Sequence, residues 1–99
     1  MTNKQQQGGS MYITFGAYLD ELRAAEKQKP PTQRQPVPTI KELAEVIGVH
    51  QVTLTNIVTG HIDRLSIDTA RKVMDEMWRR GFKPEISDFI KYVPPDSNL

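Results

Sequence analysis

The chain has 99 residues, 37% of them hydrophobic and 25% charged, which suits one domain with a modest core and leaves no room for a separate catalytic domain. A formal net charge of +1 does not by itself indicate a polyanionic partner, so any case for nucleic acid must rest on placed residues. The sequence lacks cysteine, which excludes disulfides and thiolate catalysis, and no apolar run approaches the roughly 18 residues of a membrane span, so a cytoplasmic protein is expected.

The first third of the chain predicts a polar arm, one helix and a loop. Residues 1–10 are polar and glycine-bearing, and we expect them to be a disordered arm outside the fold. Residues 11–15 are rich in β-branched and aromatic side chains, which favours a short strand. Apolar residues then recur at three- and four-residue intervals and predict a helix over residues 15–28. Four prolines disfavour helix within residues 29–38, so this segment is expected to be a linking loop.

Two short helices follow the loop, and both have recognisable end signals. Thr39 can cap a helix over residues 40–47, and Glu42 three positions later completes a capping box. Gly48 is expected to end that helix, because glycine adopts the left-handed backbone found after helix C-termini without steric cost. A further helix is predicted over residues 51–58, ended by the next glycine.

The last third predicts two more helices and an extended end. Ser66 can cap the fourth helix, whose basic residues lie four positions after acidic ones and are therefore expected to be ion partners rather than phosphate ligands. A short fifth helix is expected with Pro84 in its first turn. Residues 91–93 read as extended and could pair with residues 11–14, and residues 95–99 are expected to be a flexible tail. The predicted inward residues are Ile67, Ala70, Val73, Met74, Met77 and Trp78 in the fourth helix and Ile86, Phe89 and Ile90 in the fifth, and the predicted ion pairs are Asp68/Lys72, Asp75/Arg79 and Glu76/Arg80.

The segment 39–60 meets the requirements of two helices that cross steeply through a tight turn. A small residue is needed where the helices cross, and Ala44 supplies it. The turn needs a residue that tolerates positive φ, and Gly48 supplies it. Apolar residues must lock the two helices together, and five stand at inward spacing, namely Leu43, Ile47, Val49, Leu54 and Ile57.

The outward face of the third helix has an unusual composition for a solvated helix. It carries amides, hydroxyls and one aliphatic side chain, where Lys and Glu would be more usual. Amides of Gln or Asn can bond adenine bidentately, and methyl groups of Val or Thr can contact the thymine methyl. The face consists of Gln51, Val52, Thr55, Asn56 and Thr59.

With these positions assigned, the sequence resembles the lambda-repressor-like Cro/cI-type helix-turn-helix regulators, the XRE family. The resemblance is close over residues 39–60, and it is looser through residues 63–69 and in the ending at residues 88–94. It implies an all-α, compact five-helix bundle, to which the two extended segments could add a short two-stranded ribbon. The expected domain covers residues 11–94.

The resemblance also implies roles for individual residues. Gln51 matches the glutamine that often opens the recognition helix of the family, and Val52, Thr55 and Asn56 match its other base-facing positions. The start of the second helix matches the place where family members abut the DNA backbone, and the loop after the third helix matches further backbone contacts. The phosphate-contacting positions implied in this way are Thr39, Lys41, His61 and Arg64.

Two features depart from the family pattern. The family commonly has Ser or Thr at the position of His50, so this histidine is expected to be a poorer helix cap and a phosphate contact instead. The proline-rich loop of residues 30–38 is longer than usual, which affects the link between the first two helices but not the helix-turn-helix.

The expected function is therefore sequence-specific recognition of double-stranded DNA by a transcriptional regulator, acting as a homodimer on a pseudo-palindromic operator. We expect no catalytic residues and no cofactor, and the two histidines have no neighbouring ligand set that would indicate a metal site. Met74, Met77 and Trp78 could belong to the core or to a dimer seam. Two other functions fit the same fold: an antitoxin that binds its operator and a toxin, and a protein-binding adaptor that does not bind DNA.

Overall fold

The computed structural model describes residues 8–59 and 65–95, and within them the protein is mostly helical. Five α-helices and one two-stranded antiparallel sheet confirm the predicted fold class. A single 3-10 turn, Pro31–Gln33, interrupts the proline-rich loop. In chain order the elements are β1 (Ser10–Ile13), α1 (Phe15–Lys27), α2 (Ile40–Ile47), α3 (Gln51–Val58), α4 (Ile67–Arg79), α5 (Ile86–Phe89) and β2 (Ile90–Val93).

One hydrophobic core holds the helices together. Each of the five helices contributes at least one buried side chain to it, and α1 to α4 do so because each carries an apolar stripe at helical spacing. The ring of Phe15 at the start of α1 stacks on Phe89 of α5, with 5.0 Å between the ring centroids. The two ends of the chain are thereby fixed to each other across the core. The buried members are Phe15, Leu19, Leu43, Ala44, Leu54, Val58, Ala70, Val73, Met77 and Phe89.

The predicted pairing of the two extended segments is confirmed. β1 and β2 run antiparallel, with Met11 opposite Tyr92 and Ile13 opposite Ile90. The ladder continues beyond the strands, since the amide of Thr14 donates to the carbonyl of Phe89 at 2.9 Å. β1 begins at residue 10, one position before the expected strand.

The proline-rich loop is braced against both α1 and α4. Arg34 donates from Nε to the carbonyl of Lys29 at 2.9 Å and from Nη2 to that of Lys27 at 3.2 Å, so its guanidinium satisfies carbonyls at the C-terminal end of α1. Gln35 donates its amide N–H to a Glu26 carboxylate oxygen at 2.6 Å and its side-chain amide to the carbonyl of Arg80. These side chains are used within the protein, which agrees with a linking role.

Three residues predicted to face inward are largely exposed. Ile67 in the first turn of α4 is 83% exposed, Trp78 near its end is 51% exposed, and Ile86 in α5 is 64% exposed. The indole N–H of Trp78 donates to the carbonyl of Pro84 at 2.8 Å, so the ring lies on the surface with its polar atom satisfied. Periodicity shows which side of a helix is apolar, but not how far the neighbouring elements extend along it. Pro84 is buried and precedes α5 instead of standing in its first turn.

Two of the three predicted ion pairs on α4 are confirmed, and the third is wrong. Lys72 Nζ lies 3.3 Å from Asp68, and Arg80 Nε lies 2.7 Å from Glu76. Arg79, however, pairs with Glu76 and not with Asp75. The carboxylate of Glu76 is 7% exposed and receives two guanidinium groups, while Asp75 is bound at 2.9 Å by Arg71 one turn earlier. A nearly buried carboxylate attracts the arginines more strongly than an exposed one does.

Candidate nucleic-acid interface

The turn between α2 and α3 is built on one glycine in the left-handed backbone region. Gly48 has φ 81° and ψ 31° and is the C-cap of α2. Its amide and that of Val49 both donate to the carbonyl of Ala44 at 3.0 Å, which satisfies a carbonyl at the end of α2. Three residues therefore separate the two helices, and α3 starts at Gln51.

The residues predicted to lock the two helices lie on their inward faces. Leu43 and Leu54 are completely buried, and Ala44 and Ile57 are exposed by only 1% and 2%. Val49 and Ile47 are partly buried and pack against the same core. Because the inner side of α3 is fixed in this way, the orientation of its outer side is fixed as well.

The first turn of α3 presents the predicted reading residues to solvent. Gln51 is exposed, and Val52 is 69% exposed. Thr55 and Asn56, one turn later, are partly buried. Thr53 is also exposed, although the helical spacing did not single it out, because no preceding turn of the helix covers the start of α3. The accessible surface of α3 is thus concentrated at its N-terminal end.

The end of α3 uses a predicted outward residue as a local cap. The hydroxyl of Thr59 lies 2.8 Å from the carbonyl of Thr55 and 3.2 Å from that of Asn56, and it can donate to either. This hydroxyl proton is therefore engaged with the helix C-terminus. The side chain of Thr59 contributes less to any outer contact than its spacing indicates.

The start of α2 carries the predicted capping box. The hydroxyl of Thr39 accepts the amide of Glu42 at 3.1 Å, and the carboxylate of Glu42 accepts the amide of Thr39 at 2.8 Å. Lys41 beside them is exposed and has no ion-pair partner among the described residues. The site thus joins one available cation and a helix N-terminus with one acidic group, and that acidic group opposes a phosphate at the helix N-terminus.

His50 is the N-cap of α3, and its side chain makes no capping hydrogen bond. The imidazole is exposed. The first amides of α3 therefore receive no bond from the side chain of this residue, in line with the expectation of a poor cap. His61 and Arg64, the other predicted phosphate contacts, lie outside the described residues.

The cations of α4 are engaged along the helix surface. Arg71 bonds Asp68 and Asp75 at 2.9 Å each, and Asp68 also pairs with Lys72. These bonds lower the pKa of the Asp68 carboxyl, with the hydrogen bond from Arg71 as the main cause. Within residues 39–59, the positive charge that no ion pair engages is that of Lys41.

Residues of elements other than α3 line three clefts of the described surface. One cleft of about 380 Å³ lies between α1 and the proline-rich loop, and another of about 330 Å³ lies between α2 and α4. No group of three or more His, Asp or Glu side chains that could hold a metal ion occurs in residues 8–59 and 65–95. An exposed helix face suits insertion into a groove of DNA, whereas small molecules are usually bound in concave sites.

Comparison with known proteins identifies the central part of the chain. A family model described as Helix-turn-helix matches residues 39–77, which include α2, α3 and most of α4. No curated protein and no solved structure shows a significant match to the chain. Within the described residues, none of the helices has the length and apolar character needed to cross a membrane. The capping box, the glycine turn and the outward-facing α3 agree with this match, so residues 39–77 are identified as a helix-turn-helix domain similar to those of the lambda-repressor-like XRE family, a family of DNA-binding regulators.

Proposed function

We propose that the protein is a sequence-specific transcriptional regulator that inserts the N-terminal half of α3 into the major groove of double-stranded DNA and represses by covering a promoter. The observation that carries this proposal is the exposure of Gln51 and Val52 on a helix whose opposite face is buried. A helix presented in this way can reach base edges without unfolding any part of the core.

The exposed groups of α3 can contact the edges of bases. The amide of Gln51 offers one donor and one acceptor at a spacing that matches N7 and N6 of adenine. The methyl groups of Val52 can contact the methyl group of thymine. Thr55 and Asn56 lie one turn further along α3 and are partly buried, so they would contact bases only where a base edge comes close to the helix. Gln51 and Val52 are therefore the main proposed base contacts.

Backbone contacts would come from the start of α2 and from both sides of α3. Lys41 supplies a full positive charge, and the amides at the start of α2 favour a phosphate near Thr39. Glu42 opposes that phosphate, which predicts modest affinity for random DNA. His50, His61 and Arg64 complete the proposed contacts.

The operator is proposed to be pseudo-palindromic, because a symmetric dimer presents two recognition helices to two half-sites about one helical turn apart. DNA binding would place the protein at the nucleoid in the cytoplasm. Among residues 8–59 and 65–95, the ion pairs that engage the cations of α4 favour one other function, a protein-binding adaptor with the same fold. An adaptor would show no salt-dependent binding to random duplex, whereas a regulator loses affinity as salt rises.

Selection of bound duplexes from a random pool tests the proposal. We expect a symmetric motif for the wild-type protein and a loss of preference at one base position per half-site for Gln51→Ala, worth about 1–3 kcal/mol. Gln33→Ala is the matched control, since Gln33 is an exposed glutamine in the 3-10 turn, away from α3. An unchanged motif in Gln51→Ala would remove this residue from the reading set. Indifference of the wild-type protein to every duplex at low salt would refute the function.

A further inference from the structure

The outer edge of β1 has backbone groups that no described strand pairs. Antiparallel ladders alternate between residues that exchange hydrogen bonds with the partner strand and residues whose amide and carbonyl point away from it. The bond from Thr14 to Phe89 fixes the phase of this alternation. Ser10 and Tyr12 therefore direct their backbone groups toward β2, and those of Met11 and Ile13 point outward. The sheet of the described chain has only the two strands β1 and β2, so this edge has no third strand.

This edge also lacks two of the features that normally prevent strand pairing. Charged side chains and proline are the usual protection of an exposed edge. Neither occurs anywhere in residues 8–19, whereas β2 contains Lys91 and is followed by Pro94. Met11 and Tyr12 are 50% and 53% exposed. β1 is thus an open, uncharged strand with apolar side chains in solvent.

We propose that β1 pairs antiparallel with β1 of a second copy of this chain, giving a four-stranded sheet with the two β1 strands at its centre. The register follows from the outward groups of Met11 and Ile13, because both outward residues of one strand face both outward residues of the other only when Met11 lies opposite Ile13. The two-fold axis then passes at Tyr12. Met11 exchanges two hydrogen bonds with Ile13 of the other copy, the symmetric pair doubles this to four, and the two Tyr12 residues face each other as a closely spaced non-hydrogen-bonded pair.

The distribution of charged residues favours a second copy of this chain as the partner, and it favours pairing through β1 rather than through β2. Pairing β1 with itself brings no like charges together, because the strand has none. The same alternation applied to β2 would place its two-fold axis at Lys91, with two ammonium groups directly opposite each other, which is unfavourable. Tyr12 at the axis of β1 adds a cross-strand aromatic contact, which is favourable. The interface is inferred from the strand itself and rests on the proposed function only for its role, because a pseudo-palindromic site requires a dimer.

Disulfide trapping tests the interface in the full-length chain, which contains no cysteine of its own. Cα atoms in a closely spaced antiparallel pair are about 4.5 Å apart, within the range that a disulfide spans. We expect Tyr12→Cys to form a covalent dimer under mild oxidation at least tenfold faster than Lys91→Cys, the control on the neighbouring strand. Faster trapping at position 91 than at position 12, or equal rates at both, would overturn the proposal.

Sedimentation equilibrium of the unmodified protein provides the second measurement. The wild-type mass should approach twice the 11.3 kDa of one chain at micromolar concentration, and Tyr12→Lys should sediment as a monomer with an unchanged circular dichroism spectrum. A wild-type monomer at all concentrations, or a Tyr12→Lys dimer, would overturn the interface. Failure of the DNA proposal is separate, since a protein that dimerises through position 12 but binds no duplex keeps the interface and loses the function.

Discussion

Replacing Gly48 by alanine isolates the energetic contribution of the turn between α2 and α3. Gly48 lies at φ 81°, and a Cβ built on it meets no atom within 4 Å. The substitution therefore adds no clash, and its cost is the strain of an L-residue in the left-handed region, about 1–2 kcal/mol. With a urea dependence of about 1.5 kcal/mol per M, the midpoint of unfolding should fall by about 1 M.

Two further variants test whether the positive φ of Gly48 is the cause of this loss. Gly48→Asn should lose less stability than Gly48→Ala, because asparagine tolerates the left-handed region better. Gly16→Ala in α1 is the opposite control: its Cβ would meet Val58 O at an ordinary 3.7 Å, and the loss of backbone entropy on folding would decrease, so stability should rise by up to about 1 kcal/mol. Urea unfolding followed by circular dichroism measures all three. A gain in Gly48→Ala, or a loss as large in Gly48→Asn, would refute the reasoning from φ.

Further predictions concern the helix start, the core and one buried ion pair cluster. Thr39→Ala removes the acceptor for an amide of α2 and should cost about 1 kcal/mol in urea unfolding. Leu54→Ala should cost about 2–5 kcal/mol, whereas Val52→Ala on the exposed side of α3 should leave stability nearly unchanged and weaken DNA binding; equal losses of stability would contradict the assigned faces. Hydrogen bonds from two arginines hold the pKa of Glu76 at about 2, below its ordinary 4.5. The ionised carboxylate therefore contributes fully to the free energy of unfolding above about pH 5, and this contribution is lost as the pH falls toward 2. Glu76→Gln should be less stable than the wild type at neutral pH, and its free energy of unfolding should fall less between about pH 5 and about pH 2. Urea unfolding at several pH values measures both effects.

The local features of the helix-turn-helix could be predicted from the sequence because their causes lie within a few residues. A capping box needs only Thr39 and Glu42 at the right spacing, and the turn needs only a residue that accepts positive φ at position 48. The bounds of α2 and α3 follow from these signals, and the structure places both helices as predicted. The inward positions follow from helical period alone.

Contacts between distant segments could not be predicted in this way. The exposure of Ile67 and Trp78 depends on where the neighbouring helices end, which periodicity does not encode. The choice of Glu76 over Asp75 by Arg79 depends on which carboxylate the fold buries. Arg34 and Gln35 look like free polar groups in a loop, but tertiary packing brings carbonyls of α1 and α4 within their reach.

The proposed interface at β1 also depends partly on the sequence and partly on the folded structure. The sequence shows that residues 8–19 carry no charge, and it suggested that the two ends of the chain could pair. Only the register of the folded ribbon decides that Met11 and Ile13, rather than Tyr12, turn their backbone groups outward. Helix ends and turns are set by neighbours in the chain, whereas burial, ion-pair choice and exposed hydrogen-bonding groups are set by elements that meet only after the chain has folded.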